Sequence, residues 1–133
     1  MKGHIAEGAV FYFRDAGIED HFHIVVNVDA ATGSALLIGV VTSHVTMRKQ
    51  DAEENDESPD TIVDISPEQC PCLSLPSVVD CNEPLVLSRS VLTNLITNAQ
   101  AEYRCNISKE LCAKIRTGIR KSRNSSMDAK GLL

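Results

Sequence analysis

Ala35-Leu36-Leu37-Ile38-Gly39-Val40-Val41 is the longest run without a polar side chain in this 133-residue sequence. An apolar run of this length, bounded by turn residues, is typical of a β-strand that is covered on both faces. It is far shorter than the roughly 20 residues that a membrane-spanning helix needs. We therefore predict that Ala35–Val41 is the central strand of a sheet, joined to the preceding strand by a hairpin loop over Asp29–Ser34.

Several short segments around this strand are rich in β-branched and aromatic residues, which favour strands. Beyond Ser88 the apolar spacing changes to that of helices, and Ser88 and Ser108 are suitable N-caps. The pattern predicts an α+β fold, mainly β, in the form of a small β-barrel with two C-terminal helices. The predicted strands are Ala9–Arg14, Phe22–Val28, Ala35–Val41, Thr61–Ile65, Ser77–Val79 and Pro84–Leu87, with a helical turn at Ser66–Gln69 and helices at Arg89–Ala99 and Lys109–Lys121.

The length suits one domain, which we place at residues 1–122, followed by a flexible polar tail at residues 123–133. The N-terminus has no uninterrupted apolar segment of the kind that directs export. The five cysteines are therefore expected to be reduced thiols in the cytoplasm. With only five Phe and Tyr residues and no Trp, the chain cannot build a nucleic-acid platform from many stacked aromatic rings.

Charge is divided unevenly along the chain. Residues 1–108 hold 6 basic and 16 acidic side chains, a net of −10, whereas residues 109–133 hold 7 and 2, a net of +5. The segment from Asp51 to Asp60 carries six carboxylates in ten residues and is predicted to be a solvated loop; a decoy for a basic segment is the alternative. The basic face of Lys109–Arg123 could bind RNA or an acidic partner, or could simply be solvated.

The cysteines allow a metal site as an alternative. Cys70, Cys72 and Cys81, with a histidine, could supply four ligands to zinc. The Cys-x-Cys pairing is unusual for structural zinc, however, and Cys81 and Cys112 lie in apolar patterns where a thiol acts as a small hydrophobe. We therefore expect no metal and no other cofactor.

Four segments resemble the MazF/PemK family of toxin proteins, whose SH3-like barrel is related to that of the gyrase poison CcdB. Gly8-Ala9-Val10-Phe11 is similar to the opening strand of the family, and Leu36–Ser43 is similar to its third strand with a terminal Thr-Ser. His21–Asn27 matches the second strand, and Leu75–Cys81 matches the segment that precedes the helices. The likeness covers roughly residues 8–122.

The resemblance implies a type II toxin that cleaves single-stranded RNA without a metal, acts as a homodimer in the cytoplasm and is neutralised by a small antitoxin. The 2′-hydroxyl of the ribose would attack the adjacent phosphate, which requires a base, an acid and a donor for the developing charge. The retained Thr of the Thr-Ser pair is Thr42, whereas His21-Phe22 stands where the family carries Arg-Pro.

His21 and His23 lie two residues apart on a predicted strand, so they should point to one face and could replace the missing arginine. The candidate catalytic residues are therefore His21, His23 and Thr42, and the candidate RNA-binding residues are Ser43, Arg14 and Arg48. Two alternatives stay open. The absent arginine favours a catalytically inactive barrel that binds protein or nucleic acid, and the fold analogy alone allows a gyrase poison.

Overall fold

The computed structural model describes residues 5–15 and 21–133 and has an α+β fold. Its strands are β1 (Ala9–Phe13), β2 (His21–Val25), β3 (Ala35–Thr42), β4 (Ile62–Ile65), β5 (Ser77–Asp80), β6 (Leu85–Ser88) and β7 (Ala101–Asn106). Its helices are α1 (Val45–Glu54), α2 (Arg89–Thr97), α3 (Lys109–Lys121) and α4 (Met127–Lys130), with a 3-10 turn at Pro59–Thr61. Within these described residues, no helix has the length and apolar character needed to cross a bilayer.

The predicted central strand is confirmed. β3 pairs antiparallel with β2 on one side, and on the other side with β6 near its start and β5 at its end. The sheet runs in the order β4-β5-β3-β2-β1-β7, with β6 attached to β3. The predicted α+β class, mainly β, is confirmed, and the sheet is not closed into a complete barrel, because β4 and β7 form the two ends of this path in the described chain and are not paired with each other.

Both faces of the sheet are covered. On one face α3 buries Leu111, Cys112, Ile115 and Ile119, the apolar stripe that the sequence predicted, and the helix has the predicted bounds. Ser108 caps it by accepting a hydrogen bond from the Leu111 amide at 3.1 Å. On the other face, α2 packs its buried Leu92 into a separate apolar cluster. Two cores on opposite faces explain why β3 contains no polar residue between its ends.

The acidic segment is not the loop that was predicted. Its first half belongs to α1, and a 3-10 turn follows at Pro59–Thr61. Ala52 is the one buried residue of α1, so the helix has almost no apolar stripe, and the pattern of apolar residues could not reveal it. Arg48 anchors the helix instead, because it forms ion pairs with Asp80 at 3.1 Å and Glu83 at 2.6 Å.

The C-terminal segment also differs from its prediction as a flexible tail. α4 is capped by the Ser126 hydroxyl, and its Ala129 is completely buried. Leu132 and Leu133 pack against the core beneath α3. A short helix in a polar sequence is held here by tertiary contacts, which residue composition does not report.

The two oppositely charged regions of the sequence meet in the fold. Lys121 pairs with Asp60, and the backbone amide of Arg123 donates to the buried Glu57 carboxylate at 3.1 Å. Arg116 forms a third contact, a largely buried ion pair with Glu7 at 2.6 Å. The acidic segment thus acts as the partner of a basic segment within the same chain, and Arg116 and Lys121 of α3 are already engaged in ion pairs.

β7 was not predicted, and its pairing with β1 is irregular. Val10 lies opposite Cys105 but Phe11 lies opposite Tyr103, so the register skips Arg104. Residues two apart on a regular strand point to the same face. The bulge breaks that rule: Tyr103 packs with Phe11 in the core under α2, whereas Cys105 packs against the core under α3.

Candidate nucleic-acid interface

Two aromatic rings and two arginines form one surface on strands β1, β2 and β7 and on the residue that follows β1. Tyr12 and Phe22 are register partners, and their rings meet edge to face with centroids 5.0 Å apart. The guanidinium of Arg14 lies 5.4 Å from the centre of the Tyr12 ring, and that of Arg104 lies 5.3 Å from it. Arg104 also reaches to 5.9 Å from the Phe22 ring. We call these four residues the arginine–aromatic surface.

A carboxylate lies between the two arginines. Glu102 is 3.0 Å from Nε of Arg104 and 3.6 Å from Nη2 of Arg14, and about half of its side chain is exposed. Exposed pairs of this kind contribute only about 0–1 kcal/mol, so an incoming anion can replace the carboxylate at small cost. The arrangement can bind a phosphate between two arginines beside a ring on which a base can stack.

A cleft of about 190 Å³ adjoins this surface. Its lining comes from β1, β2, β5 and the end of β3, and its outer wall is the loop at residues 66–76. Serine hydroxyls and one imidazole line it together with apolar side chains, a mixture suited to a sugar and its phosphate. The lining residues are Tyr12, His21, Phe22, Val41, Ser43, Leu73, Ser74, Leu75 and Ser77.

The loop that forms the outer wall is fixed by a reciprocal hydrogen-bonded turn. The Ser66 hydroxyl accepts from the Gln69 amide at 3.3 Å, and the Gln69 side-chain oxygen accepts from the Ser66 amide at 3.0 Å. This is a capping box, in the segment where the sequence predicted a helical turn begun by Ser66. It sets the path of the chain into the cleft wall at Leu73.

The two candidate histidines occupy different environments. His21 is half-buried and lines the cleft, with its ring centre 6.5 Å from that of His23. His23 is buried and stacks on Phe13 at 4.3 Å, and its Nδ1 lies 2.8 Å from the backbone oxygen of His21. Burial lowers the pKa of His23 to about 4, so its imidazole is neutral at physiological pH and is shielded from a ligand.

The two residues of the Thr-Ser pair at the end of β3 also differ in exposure. Thr42 is buried, and its hydroxyl accepts a hydrogen bond from the His44 amide at 3.2 Å, which fixes the turn into α1. Ser43 is exposed and lines the cleft. The structure thus brings His21 and Ser43 to one cleft and places His23 and Thr42 beneath the surface.

The two candidate arginines have different surroundings. Arg14 belongs to the arginine–aromatic surface. Arg48 lies on α1 within an acidic cavity, where hydrogen bonds with Glu83 and Asp80 outweigh the effect of burial and raise the pKa of the guanidinium. Because two carboxylates already engage Arg48, it does not join the cleft that contains His21.

Sequence reasoning missed Arg104, Tyr12 and Phe22 as site residues. Arg104 lies on the strand that was not predicted, although Ala101-Glu102-Tyr103-Arg104-Cys105-Asn106 alternates apolar and polar side chains in the way of an edge strand. That alternation was the available signal. Tyr12 and Phe22 were treated only as strand-forming residues.

A larger cavity of about 620 Å³ lies between α1 and β4. Its charged lining is mostly carboxylates, including Glu53, Asp56 and Asp64, with Lys49 as a single basic residue. Carboxylates repel the phosphates of a nucleic acid, so this cavity is poorly suited to a nucleic acid despite its size.

The cysteines are arranged differently from the zinc alternative raised by the sequence. Cys70 and Cys72 meet Cys105, not Cys81. Cys81 is buried elsewhere and donates to the backbone oxygen of Ile115 at 3.4 Å, and burial raises the pKa of its thiol to about 12. Burial likewise raises the pKa of Cys70 to about 11, so without a metal the Cys70 thiol is protonated at neutral pH.

No model of a known protein family matches this sequence, and no curated protein matches it. The fold, by contrast, is similar to that of a solved structure described as an endoribonuclease in complex with its cognate antitoxin from a mycobacterial species. The superposition has a TM-score of 0.54, covers 96% of each chain and gives 14% sequence identity. At that identity the likeness concerns the fold.

Proposed function

We propose that this protein binds single-stranded RNA on the arginine–aromatic surface and cleaves it in the adjoining cleft, as the toxin of a toxin–antitoxin pair. The observation that carries the proposal is the pair of guanidiniums, Arg14 and Arg104, each within 5.4 Å of the centre of the half-buried Tyr12 ring, which itself lines the cleft. The fold shared with an endoribonuclease that binds an antitoxin supports it.

His21 has the central role in the proposed reaction. Its imidazole takes the proton of a ribose 2′-hydroxyl, whose oxygen attacks the adjacent phosphorus. The bond from phosphorus to the 5′ oxygen breaks, and the imidazolium returns the proton to that oxygen. The products are a 2′,3′-cyclic phosphate and a free 5′-hydroxyl, and no metal takes part. An imidazole suits both proton transfers because its ordinary pKa is close to neutrality.

The remaining groups at this site stabilise the negative charge that develops on the phosphate. Arg104 and Arg14 are cationic donors, and the Ser43 hydroxyl lies within the same cleft. Donors that are already held in place stabilise such charge most effectively. Here the Tyr12 ring and the Glu102 carboxylate hold the guanidiniums in position before RNA arrives.

The proposed antitoxin covers the same surface. Glu102 shows that a carboxylate can occupy the space between the arginines. An acidic tail of a small antitoxin would therefore compete with RNA for Arg14 and Arg104. The homodimer implied by the family resemblance belongs to this proposal as well.

A second candidate function is RNA binding without cleavage. The burial of His23 and Thr42 favours it, because it leaves one imidazole among the cleft-lining residues that the structure describes. The gyrase-poison alternative gains no comparable support from the site.

Cleavage and binding should be measured on the same labelled single-stranded RNA, without added divalent metal. We expect the wild type to bind and to yield a cyclic phosphate end, and His21→Ala to bind with at least about a hundredfold slower cleavage. His44→Ala is the matched control, because His44 is exposed at the start of α1 and does not line the cleft.

Each outcome separates the candidates. If the wild type binds RNA without cleaving it, the second candidate function, RNA binding alone, replaces the proposed enzyme activity. Equal cleavage by wild type and His21→Ala would remove His21 from the mechanism. Failure of the wild type to bind any single-stranded RNA would overturn the proposed function itself.

A further inference from the structure

Three cysteine sulfurs converge beside the cleft. The Sγ atoms of Cys70 and Cys72 are 3.4 Å apart, those of Cys70 and Cys105 are 3.6 Å apart, and those of Cys72 and Cys105 are 2.8 Å apart. Zinc–sulfur bonds of about 2.3 Å in a tetrahedron place two sulfurs about 3.8 Å from each other. Two of the three distances are close to that value. All three are well beyond the roughly 2.05 Å of a disulfide bond, and the cysteines are free.

The three thiols come from segments that are distant in sequence, and each segment is held in place. Cys70 and Cys72 lie in the turn that follows the capping box, where the Cys70 amide donates to the Ser66 oxygen at 3.0 Å. Cys105 reaches the same point because the bulge in β7 turns it toward the core under α3. A regular β7 would have turned Cys105 to the opposite face.

The surroundings of the thiols suit a soft metal ion. Cys70 is completely buried, while Cys72 and Cys105 are half-buried, so the group is shielded but an ion can enter it. Cys70 belongs to the same apolar core as Leu73, and Cys72 and Cys105 pack against that core. Within the described residues the cluster is made of sulfur alone, with no histidine or carboxylate in it. Such a donor set favours thiophilic ions over calcium or magnesium.

We propose that Cys70, Cys72 and Cys105 form a binding site for Zn²⁺, with three thiolate ligands and a fourth position for water. On binding, the three S–H groups release their protons to solvent and three Zn–S bonds form, without any change of oxidation state. The site joins the loop at residues 66–76 to β7. Because Leu73 and Ser74 line the cleft, the ion fixes the outer wall of the cleft. The site stands on this geometry whether or not the cleft binds RNA.

A disulfide between Cys72 and Cys105 is the main competitor, since this is the shortest of the three distances. It would use two of the three converging thiols and would need an oxidant. A metal site explains why a third thiol, completely buried, completes the triangle.

The test uses the full chain, purified under reducing conditions and stripped of metal with a chelator. Co²⁺ is added as a spectroscopic probe and then displaced by Zn²⁺. We expect one ion per chain, a thiolate-to-cobalt charge-transfer band, and the visible bands of tetrahedral cobalt. Cys72→Ser and Cys105→Ser should each weaken Co²⁺ binding by about tenfold or more, the least expected for loss of a direct ligand.

Cys112→Ala is the matched control, since this thiol is completely buried on α3 outside the cluster, and it should bind Co²⁺ like the wild type. Circular dichroism of each variant verifies folding, and Cys72→Ser, in a half-buried turn, keeps the test valid if Cys105→Ser does not fold.

Two results would overturn the proposal. One is the absence of cobalt bands in reduced, folded wild type whose thiols are accessible to a thiol reagent. The other is equal Co²⁺ binding by the wild type and the two serine variants. A Cys72–Cys105 disulfide, detected by mass spectrometry in protein that takes up no metal after reduction, would identify the cluster as a redox pair instead.

Discussion

Neutralising either of two opposite charges on the arginine–aromatic surface should change RNA affinity in opposite directions. Arg104→Gln removes a guanidinium that lies over two aromatic rings and 3.0 Å from Glu102. Glu102→Gln removes the carboxylate that competes with phosphate for the same arginine. The two residues lie two positions apart on one strand, so the pair tests the local charge and leaves the fold in place.

The magnitudes follow from the geometry. Loss of one charge-assisted phosphate contact should cost about 1.5–3 kcal/mol, or roughly a ten- to hundredfold rise in Kd. The slope of log K against log salt should fall by about 0.7, the value for one phosphate contact on a single strand. Glu102→Gln should tighten binding by up to about fivefold, because a half-exposed ion pair contributes at most about 1 kcal/mol.

Fluorescence anisotropy with a labelled single-stranded RNA at several salt concentrations measures both quantities. Lys49→Gln removes the same charge from α1, where Lys49 pairs with Asp64, and is the matched control. Equal Kd and equal salt slope for Arg104→Gln and Lys49→Gln would show that binding responds to net charge alone. The reasoning from the arginine–aromatic surface would then be refuted.

Three further predictions concern the stability of the fold. His23 has a pKa of about 4 in the folded chain and about 6.5 in the unfolded chain, so the unfolded chain binds more protons between these values. The free energy of unfolding should therefore fall by about 3 kcal/mol as pH drops from 6.5 to 4, and urea unfolding of His23→Phe should lack this pH-dependent loss. Gly118→Ala should destabilise by about 1–3 kcal/mol in thermal unfolding, since its Cβ would lie 2.7 Å from Sγ of Cys81, and an unchanged Tm would contradict this packing. The buried Asn27 oxygen accepts from the Leu37 amide at 3.0 Å, so Asn27→Ala should cost about 1–3 kcal/mol in urea unfolding, whereas a loss below about 0.5 kcal/mol would show that water replaces the amide.

Elements with a strong local pattern were predictable. β3 and α3 were located from one apolar run and one apolar stripe, and the Ser88 and Ser108 caps were predicted correctly. α1 was not predicted, because it buries little beyond Ala52 and is held by ion pairs of Arg48 with residues more than thirty positions away. Periodicity reports burial, so a helix anchored by charges leaves no such signal.

The candidate site was predictable only in part. His21, Ser43 and Arg14 were chosen from sequence and lie at or beside the cleft. His23 and Thr42 were chosen by the same reasoning, yet the structure buries both. The alternation of a strand indicates that two side chains share a face, but it does not tell whether another segment covers that face.

The sequence by itself determined the α+β class, the central strand and the capped helices, because each depends on residues that are close along the chain. The tertiary structure alone decided which distant residues meet. The bulge at Arg104 brings that arginine over Tyr12 and turns Cys105 toward Cys70 and Cys72. Pairing between β1 and β7 joins segments about ninety residues apart, and its register is set by the packing of both sheet faces at once, which no local pattern encodes.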